Sequence, residues 1–154
     1  MSILIRKTLS PLVLLCCCTL CLFVAQAPAE DGEQHIVNAA CDLQYASQKI
    51  AKSYFYKELD IRYESAVRHM QDGLADFDRN IPILQQGIKS KEEESIMKFL
   101  LSSYEQLKEI LPKPYSNENG SMIIDASESI FEAADFLAKE HLPKDSGTED
   151  AGCG

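Results

Sequence analysis

The sequence predicts an all-α protein, an antiparallel up-down bundle of four helices. Apolar residues recur at spacings of three and four along four separate stretches, the signature of helix faces turned to a common core. Gly, Pro and polar clusters fall between those stretches. No alternating β-branched run occurs, and Asn119-Gly120 sits in a polar stretch between two helical segments rather than between strands.

Residues 1–29 read as a secretory signal peptide. Arg6 and Lys7 stand in a leading stretch without acids, residues 11–27 are almost wholly apolar, and Ala27-Pro28-Ala29 supplies small residues for cleavage after Ala29. The competing reading is an uncleaved N-terminal anchor, since the apolar run is near the short end of a membrane span. Cleavage implies the periplasm or exterior of a bacterial cell, with no membrane insertion afterwards. Cys16, Cys17, Cys18 and Cys21 lie in that segment, and none follows the small residue that lipid attachment would want. Beyond it only Cys41 and Cys153 remain. In an oxidising compartment two cysteines make one disulfide, or stay as free or intermolecular thiols.

The first predicted helix spans residues 33–59, which contain neither Gly nor Pro, with Ile36, Ala40, Leu43, Ser47, Ile50 and Tyr54 inward. A short irregular joint near Asp60 separates it from the second, where Ala66, Met70, Phe77, Ile81 and Leu84 keep the spacing. Gly73 and Pro82 weaken the second helix, Pro82 as a kink or last turn, and Gly87 is expected to close it as a left-handed cap. Ser90 and Glu93 form a capping box for the third helix, which runs to Leu111 with Ile96, Leu100, Tyr104, Leu107 and Leu111 inward. Pro112 and Pro114 stop it, and residues 115–120 read as a polar loop. The fourth helix is expected over residues 121–141, with Ile123, Ile130, Ala134 and Leu137 inward. Residues 30–142 thus form one domain, and 143–154 read as a flexible polar tail. An up-down bundle brings both ends of the chain together, so the tail can reach back from the fourth helix to bring Cys153 to Cys41.

Composition narrows the function. Arg6 and Lys7 are the only bases before Glu30, leaving 13 bases against all 24 acids, a net charge of −11. Such a chain repels nucleic acid and anionic membrane surfaces. No phosphate-cradling glycine loop, Gly-x-Ser-x-Gly elbow or activated Cys–His pair occurs, so neither an enzyme nor a cofactor is expected. His35, His69 and His141 share no ligand spacing; His35 and His141 could meet where the first and fourth helices converge, but no further metal ligand suggests itself, so the three read as surface histidines.

The informative segment is on the first helix. Opposite its core stripe lies a second stripe, Asn38, Asp42, Tyr45, Lys49, Lys52 and Tyr56, at the same helical spacing. Such a face is ordinarily just solvated; two tyrosines among amide and ammonium groups also suit a recognition surface. Ser47, on the core stripe, needs a partner for its hydroxyl, such as the carbonyl one turn back.

This segment resembles the opening helix of the type IV pili methyl-accepting chemotaxis transducer N-terminal domain, whose pattern runs roughly Asn-Leu-Ala-Gly-Arg-Gln-Arg-Met-Leu-Ser-Gln-Arg-Met-Ala-Lys. Asn38, Ala40, Ser47, Gln48, Ala51 and Lys52 match outright, and Lys49 and Ile50 are conservative. The likeness extends more loosely over residues 34–142. It implies a periplasmic helical bundle that senses small ligands, with Asn38, Ser47, Gln48, Lys49 and Lys52 as ligand or dimer candidates. It also implies a homodimer through the first helix and a membrane sensor as partner. Two departures matter. Asp42 and Gln44 replace family arginines, so nitrate sensing is not inherited. Family members also continue into a membrane helix and signalling domains, whereas here a polar tail follows, and no signalling output of its own is expected. The expectation is therefore a stand-alone binding domain acting through Asn38, Asp42, Tyr45, Ser47, Gln48, Lys49 and Lys52. A structural envelope protein without a ligand, or a secreted metal-binding protein, are the alternatives.

Overall fold

The computed structural model describes residues 30–142 and Cys153; the predicted signal segment, residues 1–29, lies outside them, as do 143–152 and Gly154. Four helices follow in order: α1 (Glu30–Glu58), α2 (Tyr63–Gly87), α3 (Lys91–Ile110) and α4 (Asn117–Glu140). No strand occurs among the described residues. The expected all-α four-helix bundle is the observed one.

α1 lies at the centre, packed along both α2 and α4, while α4 also packs along α3. Ile36 meets Gly87 and Ile50 meets Gly73, so α2 runs back antiparallel along α1. α4 is likewise antiparallel to α1: Gln44 Nε2 donates to Phe131 O (3.4 Å), and Phe55 lies over Gly120. α2 and α3 are joined mainly through large side chains. The Phe77 and Tyr104 rings stack 4.3 Å apart and within 5° of parallel. Tyr104 also donates to Asp78 (3.5 Å), and burial beside that carboxylate pushes its hydroxyl pKa up to about 12.

The core is the predicted set of stripes. Ala40, Leu43, Ser47, Ile50 and Tyr54 of α1 are buried, as are Ala66, Phe77 and Leu84, then Leu100, Tyr104 and Leu107, then Ile123, Ile130, Ala134 and Leu137. Ile36, Met70, Ile81 and Ile96 pack at its edge. Ser47 donates to Gln44 O (2.9 Å), the local bond its buried position requires. The Ser90–Glu93 capping box is present: Glu93 N donates to Ser90 Oγ (3.1 Å) and Ser90 N to the Glu93 carboxylate (3.3 Å).

The structure corrects four expectations. Gly87 is the last residue of α2 rather than a left-handed cap, and no glycine has positive φ among the described residues. It is there because Ile36 fills the place of a side chain: a Cβ would stand 2.5 Å from Ile36 Cδ1. α2 also continues through Pro82 to Gly87, so Pro82 does not mark its last turn; having no N–H, it leaves the Asp78 carbonyl without its intrahelical donor. α4 begins earlier than predicted: Ser116 Oγ accepts from Asn119 N (3.0 Å), and Asn119 Nδ2 donates to Pro114 O (2.8 Å), so the 117–120 stretch is a capped first turn. At the bundle end His141 is buried and pairs with Glu33, while His35 is exposed and does not meet it. Glu33 also binds Lys89, and these two partners hold its carboxyl below the ordinary range.

Cys41 and Cys153 form a disulfide, with Cα atoms 5.2 Å apart. Cys153 packs against the edge of the core. No helix among the described residues is long and apolar enough to cross a membrane.

Candidate functional site

The candidate site is built by the turn between α1 and α2. Asp60 N donates to Lys57 O (3.2 Å) and Ile61 N to Tyr56 O (2.8 Å), which winds the end of α1 tightly. Asp60 (φ 56°) and Arg62 (φ 50°) both adopt the left-handed region although neither is glycine. Arg62 is the N-cap of α2, and its side chain makes no capping bond. The first amides of α2 are therefore left without a side-chain acceptor.

Beyond this turn α1 and α2 enclose an open groove of about 510 Å³. Tyr45, Gln48, Lys49, Lys52, Ser53 and Tyr56 line it from α1, with Arg62, Ser65, Ala66 and His69 from the joint and α2. Helical spacing explains both walls: the α1 residues recur every three or four positions, and Arg62, Ser65, Ala66 and His69 lie on one face of α2's first two turns.

The groove is cationic although the chain is acidic. It is lined by two lysines, an arginine and a histidine, and by no Asp or Glu, in a chain of net charge −9. Lys49 Nζ is 3.9 Å from Asp76, just outside the groove. Lys52 Nζ lies 5.5 Å from the Tyr56 ring centroid and, like Arg62, makes no ion pair among the described residues. A second depression, lined by Lys57, Tyr63, Val67, Met70, Leu74 and Lys108 among others, contrasts with it. There Lys57 is held by Glu58 and the Leu111 carbonyl, and Lys108 by Glu105 and the Tyr104 ring.

Of the residues singled out by sequence, Tyr45, Gln48, Lys49 and Lys52 come together in the groove. Asn38 is exposed and accepts from Gln34 Nε2 (3.0 Å). Asp42 accepts from Asn80 Nδ2 (3.3 Å), which ties it to α2 away from the groove. Ser47 is fully buried and does not reach the surface. Gln44, at the second lost arginine position, is buried against α4. Ser53, Arg62, Ser65 and His69 were not singled out. The α2 residues do recur at helical spacing, but no glycine or asparagine marks the left-handed Arg62 that sets them facing α1.

Among the described residues no group of three His, Cys, Asp or Glu side chains is placed to hold a metal ion. The fold and the groove together define a class, a disulfide-clasped helical bundle with a cationic cleft between its first two helices. Comparison with family models, curated proteins and solved structures returns no match.

Proposed function

We propose that this protein is an exported, non-enzymatic binding domain that recognises a small solute in the groove between α1 and α2. One observation carries the reading. Four residues of the outer α1 face, picked out by composition and by the family motif, form one wall of a concave site instead of a flat solvated surface. Its volume falls within the range of small-molecule pockets, roughly 300–1,000 Å³. The Cys41–Cys153 disulfide supports export, because such bonds persist in oxidising compartments.

A homodimer through α1 is the second reading, motivated by the exposed Tyr45 (70 %). Cys153 is bonded one turn before Tyr45, so a second α1 would have to seat beside it rather than along the whole helix. Thermal-shift screening of the full chain against a solute library separates the two. Specific binding raises the melting temperature with ligand excess, and a Tyr45→Ala/Lys49→Ala variant should lose that response. A response that survives both substitutions would discard the groove, and a concentration-dependent sedimentation coefficient abolished by them would favour the dimer.

A further inference from the structure

We infer that the α1–α2 groove takes a small organic anion, a carboxylate carried on a flat apolar body; this rests on the groove being the binding site and names its ligand class. Charge gives the first argument. Lys52 and Arg62 line the groove without an ion pair among the described residues, and no Asp or Glu is among the side chains that line it beside them. Arg62 offers the planar fork that matches a carboxylate in two parallel bonds. The uncapped first turn of α2 adds partial positive charge beside it.

Ser53 gives an independent argument. It lines the groove at 4 % exposure, yet its hydroxyl has no hydrogen-bond partner among the described residues. Of the other three buried helical serines, Ser47 returns its hydroxyl to Gln44 O and Ser103 to Phe99 O (3.1 Å), while Ser127, which does not line the groove, makes no such bond among the described residues. No side-chain nitrogen or oxygen that is sealed from solvent lacks a partner among the described residues. The Ser53 hydroxyl therefore opens onto the groove, with a donor to spare for a guest.

The walls define the rest of the ligand. Tyr45 and Tyr56 present ring surface, and Ala66 places a methyl group between Arg62 and His69. Aromatic faces and a cleft of about 510 Å³ suit a body that stacks, and a bare oxyanion would leave most of that space unfilled. Asp42, at a position where an acid would repel anions, is outside the groove and bonded to Asn80.

The test is titration of the full chain with four probes, benzoate, benzamide, benzylammonium and nitrate, followed by amide NMR shifts and calorimetry. Benzoate should shift residues 48–56 and 62–69 saturably and bind at least about tenfold more tightly than benzamide, a difference that shrinks with added salt. Lys52→Gln and Arg62→Asn should each weaken benzoate about three- to tenfold and leave benzamide unchanged. Asn tolerates the left-handed backbone, so loss of charge is separated from loss of fold. Benzamide or benzylammonium matching benzoate at the same residues would overturn the anion inference while leaving the groove as a binding site. Nitrate matching benzoate would overturn the organic body. Failure of benzoate to shift these residues overturns the inference too, and a silent solute screen would then remove the site itself.

Discussion

Arg62 carries two burdens at once, a left-handed backbone and a cation facing the groove. A non-glycine residue in that region costs roughly 1 kcal/mol, and Asp60 bears the same strain two positions away without lining the groove. Asp60→Gly and Arg62→Gly should therefore each raise stability in urea by up to about 1 kcal/mol. Only Arg62→Gly should also weaken the groove's ligand, and equal effects of both on binding would show that Arg62 acts through the turn alone. This residue also marks where the sequence is silent. Ser47 was legible because its place in an apolar stripe demands a partner. Arg62 was not, since left-handed geometry usually announces itself through Gly or Asn and here it does not. Without that turn, the polar stripe of α2 reads as ordinary solvated surface.

Helix boundaries show the same division. Stripes at spacings of three and four placed all four helices, because burial of one face is a demand that every turn repeats. The start of α4 was misplaced because Asn119-Gly120 reads as a turn, whereas Ser116 caps the helix three residues before Asn119 and the Phe55 and Tyr115 rings occupy the space above Gly120. Ser90→Ala and Ser116→Ala should each cost about 1 kcal/mol in chemical denaturation, and a loss only at Ser90 would argue that the α4 cap frays. Glu58 joins helices at the opposite end. Its carboxylate pairs with Lys57 (2.7 Å) and accepts from Tyr115 N (3.0 Å), and those contacts hold its pKa below the ordinary value. The unfolded chain, with the higher pKa, takes up the proton first on acidification. This stabilisation is complete above the ordinary carboxyl value of 4.5 and is lost as pH falls through the lowered folded value. Glu58→Gln should remove that part of the acid sensitivity, read from melting temperatures across pH 2 to 7; an unchanged profile would place the acid response elsewhere, with Glu33 the next to substitute.

At the scale of the whole molecule the disulfide dominates. It closes a loop across 112 positions, and in the chain-entropy account such a crosslink contributes roughly 4–5 kcal/mol at most. A Cys41→Ser/Cys153→Ser variant should unfold at markedly lower denaturant while keeping its helical circular dichroism. Loss of helicity in buffer would mean that the four-helix core cannot stand without the bond. The pairing was foreseeable from an up-down topology that returns α4 to the start of α1, although the residues themselves allowed free thiols equally well. The groove lay beyond the same reasoning, because it arises from the approach of two helices and not from a pattern within either.

The clasp has a consequence for how this chain tolerates cutting. Each of the three connections, 59–62, 88–90 and 111–116, lies between Cys41 and Cys153. A protease that severs one of them leaves two pieces still joined through sulfur, one bearing α1 and the other α4. Nicked protein should therefore migrate as a single species on non-reducing gels and split into two only when reductant is added. Wherever thiols are kept oxidised, damage to a connecting turn would leave α1 tethered beside its neighbours and free to re-pack.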